Sequence, residues 1–205
     1  MKVLFERLTI SWKGLPRSGA THDLAGDDFP GCEAEQTTMS MQDFNEAVAL
    51  MESARDLMEF VGPRDPALIE AAERAIGSRF PPTYREFVTR YGAGNFGAFE
   101  IDGVINADFY KSSVPNGIWL TLDERRSGYL PNDLLAIGDD GMGGLYCIEL
   151  RDGEEGRVIL CELGSAPPDQ LARELIANDF GEFFLAGVRE ELEDADGFRR
   201  RVRGY

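Results

Sequence analysis

The sequence predicts an α+β fold: N-terminal helices, a central and mostly antiparallel sheet, and a C-terminal helix covering one face. Three segments between Ser40 and Tyr91 repeat apolar residues at helical spacing and end at Gly-Pro or Gly stops. After Gly94 the pattern changes to short β-like runs separated by Gly, Asp and Asn turns. Beyond Asp169 helical spacing returns, with Phe183, Phe184, Leu185 and Val188 as its apolar residues.

Residues 1–38 read as an N-terminal strand and an irregular extension. Leu4, Leu8, Ile10 and Trp12 share one phase of an alternating stretch, which predicts a half-buried edge strand over residues 1–13. Gly14 to Thr38 is rich in Gly, Pro, Asp and Thr, lacks a period, and reads as a long excursion. It contains His22, the single histidine, which has no cysteine or carboxylate near it at metal-ligand spacing and reads as a surface loop residue.

Residues 39–198 read as the folded domain. Ser40 is placed to cap a helix running to about Phe60, with Phe44, Val48, Met51 and Met58 at helical spacing and Gly62-Pro63 ending it. Asp65-Pro66 starts a second helix, since Asp supplies a capping oxygen and Pro fits the first turn; Leu68, Ala72 and Ile76 form its stripe and Gly77 closes it. A third follows Pro81-Pro82 and carries Tyr84, Phe87, Val88 and Tyr91 to Gly92.

The strands are expected in AFEIDGV, LLAIG, GLYCIEL and RVILCEL. The last two flank RDGEEG and form an antiparallel hairpin whose alternation marks one covered face, with Cys147 and Cys161 on neighbouring strands. Ile118-Trp119-Leu120 fits either a short strand or a helix. Asp179 and Glu182 have the spacing of a capping pair ahead of the final helix. That helix becomes acidic from Glu190 to Asp196, and residues 199–205 form a basic tail that reads as folding back on the acidic helix end.

A chain of 205 residues with 43% hydrophobic content can bury a substantial core. Its longest apolar runs, such as FFLAGV, fall far short of the roughly 18–20 residues of a membrane span. Glu6 and Arg7 interrupt the N-terminal apolar stretch, so a cleaved export signal is not expected. Three cysteines are an odd and sparse set that suits a reducing compartment, and the cytoplasm is the expected location.

The net charge of −16 repels nucleic acid phosphates and anionic membranes, which excludes both as expected partners. Half of that excess lies between Gly97 and Ser165, where thirteen acidic residues face five basic ones. A basic protein is the partner this charge would suit. Asp102, Asp108, Asp139, Asp140 and Glu149, on or beside predicted strands and turns, are the candidate partner-binding residues.

Motifs for catalysis are missing: there is no HExxH, no paired CxxC, no Walker loop and no GxSxG. GDDGMGG, from Gly138 to Gly144, precedes a strand, lacks the following Lys-Ser/Thr of a phosphate loop, and reads as a tight turn. No carboxylate spacing matches the twelve-residue calcium loop, so no metal and no cofactor is expected.

An ordered set of features runs from Asp65 to Val188. Ile69 and Glu73 are followed by Phe80-Pro81, Tyr84 and Phe87, and then by the Gly92 to Gly94 turn. Next come Leu130-Pro131, Ile137-Gly138, the Gly-rich turn before a strand, and Phe180 with Phe183-Phe184. In this order and spacing the chain resembles the SUKH superfamily, the Smi/Knr-like domains whose best-known eukaryotic relative is a yeast cell-wall regulator. The resemblance implies an α+β binding module without catalytic residues. Most bacterial members are immunity proteins that neutralise polymorphic toxins, often nucleases. The expected function is therefore neutralisation of a cognate toxin through an acidic surface. A regulatory or scaffolding module of the same fold and an enzyme with an unrecognised site are the alternatives. The first forty residues and the segment from Ser112 to Leu122 depart from the family pattern.

Overall fold

The computed structural model describes residues 30–162 and 170–203, with side chains at 35–162 and 170–196. The strand expected over residues 1–13, together with His22, lies outside the described residues. Among the described residues five α-helices and seven strands follow in the order α1 (Pro30–Glu52), β1 (Met58–Phe60), α2 (Pro66–Ile76), α3 (Pro82–Tyr91), β2 (Gly94–Phe96), β3 (Phe99–Ile101), α4 (Gly117–Arg126), β4 (Leu134–Asp139), β5 (Gly144–Glu149), β6 (Val158–Glu162), β7 (Arg173–Ala177) and α5 (Phe180–Arg203). The strands make two antiparallel sheets, β1-β2-β3 and β4-β5-β6-β7. The fold is α+β.

The helix starts and stops expected for α2 hold at the atomic level. Asp65 Oδ1 accepts the Ala67 N–H at 2.8 Å, Pro66 occupies the first turn, and Gly77 closes the helix at φ 79°, where a side chain would be strained. The segment expected to be either strand or helix is α4, whose Asn116 side chain accepts the Trp119 N–H.

Three expectations fail. The first helix begins at Pro30, inside the segment read as irregular, and stops at Glu52 rather than near Phe60. A single 3-10 turn, Arg55–Leu57, follows, and Met58–Phe60 then pairs with β2, Met58 opposite Phe96. Met58 and Phe60, half-buried around exposed Glu59, are in strand alternation; the seven-residue spacing from Met51 only imitates a helix. The helical pattern read from Asp169 gives way to strand β7, because β6 otherwise presents an open edge and β7 pairs with it from Val158 to Cys161. The hairpin face is not the sole covered one: β4 is buried from Leu134 to Gly138, and the four-stranded sheet carries apolar clusters on both sides.

The larger cluster lies between the sheets and helices α1, α2, α3 and α5, centred on Phe44, Phe87, Phe180 and Phe184. The smaller one gathers Leu134, Ala136, Leu145, Cys147, Ile159 and Cys161 under Leu120, Leu130 and Leu171. Its two free thiols are diagonal neighbours, Cys147 opposite Ile159 and Cys161 opposite Leu145. A hydrogen bond to Cys161, with burial, raises the Cys147 thiol well above its ordinary value.

Helix α5 is fastened at its start. Asp179 Oδ1 accepts the Glu182 N–H at 2.9 Å, Glu182 Oε2 accepts the Asn178 N–H, and the buried Ser40 hydroxyl of α1 accepts the Gly181 N–H. A Cβ at Gly181 would stand 1.9 Å from the Ser40 carbonyl oxygen, so only glycine permits this crossing.

Candidate protein-binding surface

The two sheets meet where β3 crosses β4. Ladder pairing between β4 and β5 skips Ile137, a bulge that leaves its carbonyl free to accept the Asp102 N–H at 2.8 Å. A Cβ on Gly138 would lie 3.1 Å from the Glu100 carbonyl oxygen, a contact tighter than most side chains tolerate. This close passage places Glu100 and Asp102, at the end of β3, beside Asp139, at the end of β4.

Asp102 is 3% exposed. Burial pushes its carboxyl up to about 7, and the negative charges of Glu100 and Asp139 push in the same direction. Its backbone is held from two sides, by Ile137 and by the buried Tyr84 hydroxyl, which donates to the Asp102 carbonyl at 3.0 Å. Gly117 opens α4 against the Asp102 side chain; a Cβ there would stand 3.2 Å from Asp102 Cβ.

The turn after β4 is built by its own aspartates. Asp139 Oδ1 accepts the Gly141 N–H, and Asp140 Oδ1 accepts the N–H groups of Met142 and Gly144, all at 2.8 Å. GDDGMGG is a tight turn whose two carboxylates are held at the end of the sheet.

Tyr146 extends the surface across the sheet. Gly138, Tyr146, Leu160 and Glu174 form one transverse row over four strands, and the Tyr146 ring packs on Phe183 of α5 at 5.3 Å. Burial raises the Tyr146 phenol to about 12, reinforced by Asp140, Glu190, Asp139 and Glu174. Glu190 is itself raised, by burial and by Asp194, Glu191 and Glu193. Carboxylates from β3, β4, the following turn, β7 and α5 thus share one electrostatic field.

Asp102, Asp139 and Asp140 are brought together, with Asp102 beneath the surface rather than on it. Asp108 is exposed in the loop after Val104, where it accepts the Lys111 N–H. Glu149 alternates with Cys147 and Leu145 and so lies on the other face of β5 from Tyr146; Arg157 bonds it at 2.7 Å, with Arg151 and Arg173 within 3.9 Å. Sequence reasoning missed Glu100, Glu174 and Glu190. Glu100 lies within AFEIDGV and was within reach, but β7 was read as helix, which hid the row that brings in Glu174.

Among the described residues no group of three or more His, Cys, Asp or Glu is arranged to hold a metal ion, and no helix is long and apolar enough to cross a membrane. A comparison with curated proteins finds no match. The SMI1 / KNR4 family (SUKH-1) matches residues 63–186, which run from the loop before α2 into α5 and contain the β3–β4 crossing, Tyr146 and Glu174. More than half of the sequence is matched, and the chain belongs to the SMI1 / KNR4 family (SUKH-1).

Proposed function

We propose that this chain is an immunity protein that binds and neutralises a cognate toxin, a nuclease with a basic surface, in the cytoplasm. The observation that carries the reading is the set of carboxylates Asp139, Asp140, Glu174 and Glu190 acting on Tyr146, with Glu100 joining Asp139 at Asp102. A nuclease presents cationic groups to hold phosphates, and a field of carboxylates competes for the same groups. The family membership supports a binding module, and net charge −16 supports a cationic protein partner over nucleic acid. In this reading the chain acts by occupying the toxin and makes or breaks no bonds.

Coexpression with any toxin domain encoded beside its gene tests the proposal. Restored growth and a copurifying complex are the expected outcome. Unrelieved toxicity with no complex would sink the assignment and favour a regulatory or scaffolding role for the same fold.

A further inference from the structure

Four carboxylates are buried among the described residues: Asp102, Glu155, Asp179 and Glu191. Three have evident structural partners. Glu155 accepts the Thr83 N–H and hydroxyl through Oε1, with Oε2 buried and without a partner among the described residues; Asp179 accepts the Glu182 N–H, and Glu191 accepts the Ala98 N–H at 2.8 Å. No hydrogen bond or ion pair from the described residues reaches the Asp102 carboxylate.

The groups facing it deepen the contrast. From β3 comes Glu100 and from β4 comes Asp139, both negative; α3 contributes the neutral Tyr84, which bonds the Asp102 carbonyl. From α4 comes the helix N-terminus at Gly117, a favourable field for a carboxylate. An unpaired carboxyl under two like charges opposes folding, and a neutral Asn of the same shape would remove that penalty. The remaining advantage of an acid at this position is to meet a cation from outside, and such destabilised groups concentrate at functional sites.

We propose that Asp102 is the seat for one lysine or arginine side chain of a protein partner, received between Glu100 and Asp139. This rests on the reading of the acidic sheet end as a protein-binding surface. In the free protein the Asp102 carboxyl holds its proton into the neutral range, because burial and its two acidic neighbours disfavour the charge. When the cation enters, the carboxyl O–H bond breaks, the proton passes to solvent, and the carboxylate pairs with the incoming group. Binding is thereby linked to release of one proton and tightens as pH rises, by up to about tenfold per pH unit below the range in which Asp102 ionises.

The test uses the full chain and a tetra-arginine peptide as probe, with side-chain carboxyl carbons followed by NMR between pH 5 and pH 9. The peptide should lower the titration midpoint of Asp102 and bind at least tenfold more tightly at pH 8 than at pH 6. Asp102→Asn should remove that pH dependence while retaining the fold, and Glu70→Gln, an equal charge change on exposed α2, should leave it intact. An Asp102 midpoint unmoved by saturating peptide in the unaltered protein would overturn the proposal whether or not the variant folds. So would equal effects of the two substitutions. No toxin enters this experiment, so its failure leaves neutralisation standing, and failed neutralisation leaves the cation seat standing.

Discussion

Thr83 donates both its backbone N–H and its hydroxyl to the same oxygen of Glu155, at 2.8 and 2.6 Å, across 72 residues of sequence. Pro81, at the start of α3, has no side-chain acceptor, so the first turn of that helix is capped by a carboxylate delivered from the β5–β6 connection. Burial raises the Glu155 carboxyl and the two Thr83 bonds pull it back. Glu155→Ala is expected to lower the unfolding free energy by about 1–3 kcal/mol in urea denaturation at pH 7. Glu155→Gln keeps an acceptor oxygen and should lose less; equal losses would show that the hydrogen bonds are not what matters.

Phe87 is fully buried and its ring lies 5.3 to 6.2 Å from those of Phe184, Phe180, Tyr91, Phe60 and Tyr84. Phe87→Ala should cost about 3–5 kcal/mol, since five surrounding rings on three elements cannot all collapse into the space. Chemical denaturation checks this; a loss below about 1 kcal/mol would contradict the packing.

Asp102 makes stability pH-dependent with a definite sign. Its native value of about 7 exceeds the ordinary 3.8, so the folded chain holds the proton more tightly than the unfolded one. The contribution is complete below about 3.8 and is lost as pH rises through about 7, with an upper limit on the order of 4 kcal/mol. The melting temperature should therefore fall more between pH 5 and pH 8 in the wild type than in Asp102→Asn. Parallel pH profiles would refute the assignment.

The same turn geometry decides which charge variants are informative. Asp139 and Asp140 accept three backbone N–H groups through their Oδ1 atoms, so Lys at either position would dismantle the turn. Asn retains an acceptor and removes the charge. The Asp139→Asn, Asp140→Asn double variant should melt within a few degrees of wild type yet associate more slowly with a basic toxin. Salt should also slow the wild type, as the screening length contracts from about 10 Å at 0.1 M to about 3 Å at 1 M. An association rate indifferent to both changes would remove electrostatic steering from the mechanism.

Helix α2 was legible because its cap, its first-turn proline and its terminal glycine all act within a few residues. The aromatic stripes of α3 and α5 were legible for the same reason: one face, one period. What escaped detection depends on partners distant in sequence. Met58–Phe60 becomes a strand because β2 lies beside it, and Arg173–Ala177 because β6 has an edge to fill. Asp102 and Asp139 were recognisable as acids, but their proximity follows from the Ile137 bulge and the passage of Glu100 over Gly138. Charge counting located the region and could not separate Glu149, held by arginines, from Asp102, which no cation among the described residues holds.

The crossing of Ser40 and Gly181 joins segments 141 residues apart. On a ribosome, α1 leaves the exit tunnel well before the helix that covers it is made. At about 5–20 residues per second, Phe44, Ala47 and Met51 wait roughly 7–28 s for α5. During that interval the apolar face of α1 is available to chaperones and to neighbouring nascent chains, and a chain truncated before Phe180 never covers it. Synthesis of α5 is thus a checkpoint on the folding of what precedes it: acidic β3 and β4 are made well before the helix that secures the sheet beneath Tyr146.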